Sequence, residues 1–144
     1  MSFYKTYSPP SILTTLIREF QVYHADWNQD TSLPSPFITC LANTEQNLYF
    51  YVNDPVKLVV AENVEIQIPP VVVTGPKYKT AGLLFGRNHL MIKIAFHPTG
   101  TYRLLGVDMQ QTVNAGVDAK QFWGNDVEII LNALRQASSY DSMF

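Results

Sequence analysis

The stretch MIKIAFHPTGTYRLLGV, Met91–Val107, joins two kinds of structure. In its first half Ile92, Ile94 and Phe96 alternate with Met91, Lys93 and Ala95, the period of two that marks a strand. HPTG then suits a tight turn: Pro98 at the second position presets φ and Gly100 closes it. TYRLLG follows as a single helical turn that ends at Gly106. His97, Pro98, Gly100, Arg103 and Gly106 therefore form a structural corner, with Arg103 placed to reach a carbonyl or carboxylate and pin it. The corner divides the chain, with strands before it and helices after it.

Working toward the N-terminus, eight strand-like runs precede the corner: FQVYHADW, PFITCLA, NLYFYV, VKLVVA, VEIQI, VVVTG, AGLLF and LMIKIAF. Turn formers separate them, at Pro34 and Pro36, Asn53-Asp54-Pro55, Glu62-Asn63, Pro69-Pro70, Gly75-Pro76 and Gly86-Arg87-Asn88. No helix-length segment intervenes, so the pattern predicts a sandwich or barrel rather than a parallel sheet. Leu48, Phe50 and Val52 oppose Asn47, Tyr49 and Tyr51, and Val64, Ile66 and Ile68 oppose Glu65 and Gln67, so one face of each strand is expected in the core. Ahead of the strands, PPSILTTLIREF spaces Ile12, Leu13, Leu16, Ile17 and Phe20 as on one short helix, with Pro9 and Pro10 tolerated in its first turn.

Beyond the corner, Asp108 with Gln111, Asp118 with Gln121 and Asn125 with Glu128 each pair a capping residue with an acceptor-bearing residue three positions later. Gly116 and Gly124 read as helix stops. The last helix, DVEIILNALRQA, carries Val127, Ile130, Leu131 and Leu134 as a stripe, widened by Ile129 and Ala133. A helix lying on a barrel needs only one apolar face, so Ile129, Ile130, Ala133 and Leu134 are assigned to a dimer interface. The alternative packs Ile129 against Phe122 and Trp123. The expected organisation is one domain over 1–137, with a barrel over 20–97 and a helical part over 101–137. SSYDS then opens a linker over 138–144.

The 144 residues are 47% hydrophobic and 15% charged, enough apolar material for one core. The formal charge is −2, and Val107–Ala137 itself holds four acidic side chains against two basic ones, which argues against duplex DNA binding by these helices. One cysteine, Cys40, leaves no intrachain disulfide; in the apolar run PFITCLA it reads as a buried, inert thiol. There is neither a secretory pattern nor an apolar run of the ~20 residues that span a bilayer. A cytoplasmic protein without membrane contact is expected.

Catalytic signposts are absent. The histidines are His24, His89 and His97, with no His-x-His. His89 and His97 stand at opposite ends of one strand, more than about 20 Å apart, too far to share a metal. No P-loop, nucleophile elbow, Cys-x-x-Cys or His-Glu-x-x-His occurs, so neither metal nor cofactor is expected. If a small molecule binds, the polar-lined faces of two strands place it beside Tyr49, Tyr51 and Lys93, and the low charge suits an uncharged or aromatic metabolite.

FHPTGTYRLLGVDMQQTVNAGVDAKQFWG resembles a characteristic stretch of the N-terminal sensor domains of one branch of the AraC family of bacterial transcription regulators. The matching positions are Phe96, Pro98, Gly100, Tyr102, Leu105, Gly106, Thr112, Asp118, Phe122 and Gly124. Upstream, LPSPFITCLANTEQNLYFYVNDP and VVVTGPKY resemble the branch's earlier strands, including the Gly75-Pro76 corner. The resemblance implies an α+β, mainly β fold: a cupin-like barrel or jelly roll with C-terminal helices. It also implies a non-enzymatic domain that senses an effector or dimerises, most simply as a homodimer. DNA would be reached only through an adjoining helix-turn-helix domain not present in these residues. The competing expectation is a small cupin-like enzyme acting on a sugar or similar metabolite.

Overall fold

The computed structural model describes residues 2–30, 32–33, 35–62, 64–113 and 116–144, with Met109 described by its backbone alone. The expected turn residues Pro34 and Asn63 lie outside the described residues. The strands are β1 (Ser2–Tyr7), β2 (Ile17–Asp26), β3 (Phe37–Cys40), β4 (Gln46–Tyr51), β5 (Lys57–Ala61), β6 (Val64–Gln67), β7 (Val71–Thr74), β8 (Ala81–Leu84), β9 (Asn88–Phe96) and β10 (Gly116–Asp118). The helices are α1 (Gly100–Leu105), α2 (Lys120–Trp123) and α3 (Asp126–Arg135). The fold is mainly β.

All pairings between named strands are antiparallel, and the strands form two sheets. The larger runs β1-β2-β9-β4-β7-β10 and the smaller β3-β8-β5-β6. In the larger sheet Phe20, Ile94, Leu48 and Val73 stand in one cross-strand row, and Val22, Ile92, Phe50 and Val71 in the next. Val107, Ala119, Val127, Leu131 and Leu134 bury this face from outside. Each fully buried Val, Leu or Ile contributes about 1.5–3 kcal/mol, so this layer holds the helices to the sheet. Two polar links fix its angle. Thr101 on α1 donates to buried Gln46 at 2.7 Å, and Arg135 at the end of α3 donates to the Val52 carbonyl at 2.8 Å.

The opposite face of the larger sheet turns toward the smaller one. Tyr51 and Val72 pack there with Val56, Ile68, Leu83 and Phe85. The central strands are therefore covered on both sides. β6, at the edge of the smaller sheet, is not: Val64, Glu65, Ile66 and Gln67 are all exposed, so the expected core face of VEIQI is reduced to half-buried Ile68.

The short helix expected over PPSILTTLIREF is a correction. Only a 3-10 turn, Ser11–Leu13, forms there; Ile12 is 84% exposed, and Ile17–Phe20 belongs to β2. A register shift between Ile17 and Glu19 inserts one extra residue, so Ile17 and Phe20 reach the same face three positions apart. A bulged strand thus carries a helix-like apolar spacing. β1 and β10 add to the eight strands expected from the sequence, and Gly116 lies in β10 rather than at a helix stop. Asp108 does cap, accepting from the Gln110 N–H at 3.0 Å at the start of a 3-10 turn. Asp118 accepts from the Lys120 N–H at 3.0 Å but ends β10, and the α2 and α3 N-caps, Ala119 and Asn125, make no side-chain cap.

Residues 138–144, expected as the start of a linker, pack back on β1 and β2. The Tyr140 ring stacks on Phe3 at 4.1 Å, and its hydroxyl meets His24 Nδ1 at 2.7 Å. Tyr7 donates to Asp141 at 2.7 Å, and Phe144 lies against Tyr7.

At the corner, Gly100 N–H donates to the His97 carbonyl at 2.9 Å and His97 N–H to Leu16 at 3.0 Å. Thr99 occupies the left-handed region, φ 67°, alone among the described non-glycine residues. A Cβ on Gly100 would overlap the Leu16 carbonyl oxygen, and Gly106 closes α1 at φ 71°. The Arg103 side chain is exposed and reaches no partner among the described residues, so it pins nothing here. Gly100→Ala is expected to lose about 1–3 kcal/mol, because backbone rather than a side chain must yield. Thr99→Gly should gain about 0.5–1 kcal/mol by relieving a β-branched residue from positive φ. Urea unfolding of both variants measures this; a destabilised Thr99→Gly contradicts the geometry.

Candidate functional site

Alternation and register together bring polar side chains onto the inward face of the larger sheet. Glu19, Ala95, Asn47 and Thr74 form one row; Gln21, Lys93, Tyr49 and Val72 the next; Tyr23, Met91 and Tyr51 the third. The structure thus sets Tyr49, Tyr51 and Lys93 on neighbouring rows. The two tyrosine rings stack at 5.8 Å and 8°, and Lys93 Nζ lies 6.0 Å from the Tyr49 centroid.

Around this trio stand residues not singled out from sequence. Glu45, just before β4, accepts from Lys93 at 3.1 Å and from Arg18 at 3.3 Å. The Asn47 amide donates to Glu45 at 3.4 Å and to the Tyr49 hydroxyl at 3.3 Å. Asn43 and Lys77 exchange backbone hydrogen bonds of 2.7 and 3.0 Å, tying the connection after β3 to the one after β7. Half-buried Cys40 completes the group. Asn47 carried a usable signal, because it shares the alternating face of Tyr49 and Tyr51. Glu45 lies two residues before Asn47 on the same alternation, outside the run read as a strand; Lys77 and Thr74 carried no signal, since only tertiary pairing brings them near.

The electrostatics follow from partial burial. Burial pushes the Glu45 carboxyl up, but Lys93, Asn47 and Arg18 outweigh it and hold the group below its ordinary value. Burial, then the neighbouring Cys40 and Glu45, push the Tyr49 hydroxyl up, and burial does the same to Tyr51 and Cys40. Burial pulls the Lys77 ammonium down. Neutral phenols and a neutral thiol thus line a site whose charges are Glu45, Lys93 and Lys77. Two buried atoms here lack hydrogen-bond partners among the described residues: Asn47 Oδ1 and Thr74 Oγ1.

An aromatic column leads away from this polar end. Phe85 stacks on His89 at 3.7 Å, His89 lies 6.1 Å from Tyr51, and Trp27 lies 6.4 Å from Phe85. A concavity of about 350 Å³ lined by Trp27, Pro36, Phe85, Gly86 and Arg87 opens at its far end. Both ring nitrogens of fully buried His89 are without partners among the described residues. His24 instead spends its ring on Tyr140 and Asn88, and His97 sits at the corner beyond β9. No three His, Cys, Asp or Glu side chains gather to hold a metal among the described residues.

On α3, Leu134 is buried in the helix-facing core and cannot line an interface, which corrects its assignment. Ile129 at 65% exposure and Ile130 at 47% face outward with Ala133, so Ile129 is not packed away against Phe122 and Trp123. No helix among the described residues is long and apolar enough to cross a membrane.

No family model matches the chain, and no curated protein does. Among solved structures, the plu4264 protein from Photorhabdus luminescens superposes with a TM-score of 0.44 at 8% identity, over 72% of this chain and 81% of that one.

His89 makes acid stability a direct readout of this interior. Burial, and secondarily His24, lower its pKa from 6.5 to about 4. Between those values the unfolded chain binds the proton and the folded one does not, so stability falls as pH drops through the window. The loss below it is about 3 kcal/mol. His89→Leu is expected to flatten this part of the profile in chemical unfolding across pH; an unchanged slope contradicts a buried neutral imidazole.

Proposed function

We propose that this domain is a non-enzymatic sensor: it binds a small molecule between its two sheets and passes that state to an adjoining DNA-binding domain of an AraC-like regulator. The observation that carries the reading is the cluster of Glu45, Asn47, Tyr49 and Lys93, with two orphaned buried polar atoms beside stacked tyrosine rings. Buried polar atoms without partners are costly, and a ligand that supplies the missing hydrogen bonds removes the penalty. The sequence resemblance supports the assignment to regulation, and a cupin-like jelly roll is the finer description of the two-sheet arrangement that goes with it. The helical layer over the outer face of the same strands offers a route by which occupancy is read out.

A thermal-shift screen of small metabolites tests the sensor. A binder at 100 times its dissociation constant stabilises by about 2.7 kcal/mol, and Lys93→Met should remove that shift while the unliganded protein stays folded. Binding that is indifferent to Lys93→Met would move the site elsewhere.

The dimer component of the proposal draws on the exposure of Ile129, Ile130 and Ala133, and its occupant is a second copy of this chain. Replacing Ile129 and Ala133 by Glu is expected to turn a dimer into a folded monomer, because a buried unpaired charge is not tolerated at an interface. Light scattering decides. An unmodified chain that is monomeric at ~100 µM, far above the dissociation constant of a standard-sized interface, removes the dimer.

A further inference from the structure

We propose that the ligand of the inter-sheet site is a small carboxylic acid that also carries a hydrogen-bond donor, with Lys77 taking the carboxylate. This rests on the reading of the cluster as a ligand site and adds the ligand's charge and functional groups.

The charges at the site do not balance. Glu45 is already shared between Lys93 at 3.1 Å and Arg18 at 3.3 Å. Lys77 is half-buried, and its backbone is held by the paired hydrogen bonds to Asn43. Its ammonium has no acceptor in hydrogen-bond reach among the described residues, yet it feels Cys40, Glu45 and Lys93 together. Cys40, pushed up by burial, stays a neutral thiol and offers no countercharge. The Lys77 backbone is paired with Asn43, whose Oδ1 accepts from the Glu45 N–H at 2.9 Å, so Lys77 joins Lys93 and Arg18 around a single carboxylate. A desolvated cation without a partner is unfavourable, and an anion entering beside it gains a charge-assisted hydrogen bond.

The second observation is independent of charge. Asn47 is 1% exposed, and its Nδ2 already donates to Glu45 and Tyr49, so its orphaned Oδ1 can only accept. Thr74, its cross-strand partner, presents an orphaned hydroxyl that gives or receives. A ligand group that suits both is a hydroxyl or an N–H. The stacked Tyr49 and Tyr51 rings provide a flat apolar wall for the body that joins it to the carboxylate. The sequence alone pointed to an uncharged ligand. Lys77, placed here by an isolated bridge, is what shifts the inference to an acid.

The probes are 4-hydroxyphenylacetate and 3-hydroxybutyrate, each against its own amide, which keeps shape and hydroxyl but removes the charge. Calorimetric titration of the whole chain is expected to show one of the acids binding roughly tenfold or more tighter than its amide. Added salt should weaken the acid and not the amide. Lys77→Met should erase the difference and Lys77→Arg should keep it. If Lys77→Met does not fold, the salt dependence with the unmodified protein and Lys77→Arg decides. Amides that bind as well as their acids, or acid binding that survives Lys77→Met, overturns the carboxylate and leaves the site itself standing. The carboxylate is overturned in the same way if neither series binds while a neutral compound binds in a manner sensitive to Lys93→Met. If no compound of any kind binds, the proposal and the sensor reading fall together.

Discussion

The pairing of β9 with β2 on one side and β4 on the other is the constraint from which the rest of the structure follows. It sets Phe20, Ile94 and Leu48 in one row facing the helices, and Gln21, Lys93 and Tyr49 in the neighbouring row facing the second sheet. A slip of one residue would exchange the faces, sending Lys93 into the apolar helix layer and Ile94 into the polar interior. Both are costly, so burial on two sides holds the register firmly. The bulge after Ile17 keeps β2 in step with β9 where the chain turns the Leu16 carbonyl toward His97.

From this sheet the molecule divides its interior by chemistry. The outer layer is apolar, with Val, Leu and Ile joined by rings such as Phe50 and Phe96, and it holds α3 through Val127, Leu131 and Leu134. The inner layer mixes tyrosine, histidine, asparagine and an ion pair, a composition that packs less favourably than an apolar core of equal volume. Lys93 and Glu45 offset part of that penalty by pairing, and Asn47 bridges Glu45 to Tyr49. Among the described residues, the buried side-chain atoms left without partners, on Asn47, Thr74 and His89, all lie on the inner layer. Unsatisfied polarity is thus concentrated on one face of the sheet, while the other packs against the apolar helix layer.

The two ends of the inner layer differ in kind. At the Lys93 end the groups are charged and half-buried, and at the other end fully buried His89 sits among the half-buried rings of Phe85 and Trp27. Tyr51 belongs to both, stacked on Tyr49 and 6.1 Å from His89. Tyr51 thus joins the polar end to the aromatic column. The other face of β4, through Leu48 and Phe50, meets the helix layer that carries α3.

Local pattern determined a good deal. Strict alternation in NLYFYV and MIKIAF assigned Tyr49, Tyr51 and Lys93 to faces opposite Leu48, Phe50 and Ile94, because strand side chains must alternate whatever surrounds them. Pro98, Gly100 and Gly106 marked the strand-to-helix corner, because ring closure and a missing Cβ act within a few residues. Local pattern failed where a neighbour decides the outcome. Ile17 and Phe20 read as helical because a bulge, visible only against β9, changes the spacing from two to three. Ile66 read as core although β6 has a neighbour on one edge alone, and Leu134 read as interface although the sheet covers it. The site shows the same division. Three of its side chains were legible on their own strands. Thr74 and Lys77 arrive by strand order and by the Asn43–Lys77 bridge, contacts between residues distant in the chain that no local spacing encodes.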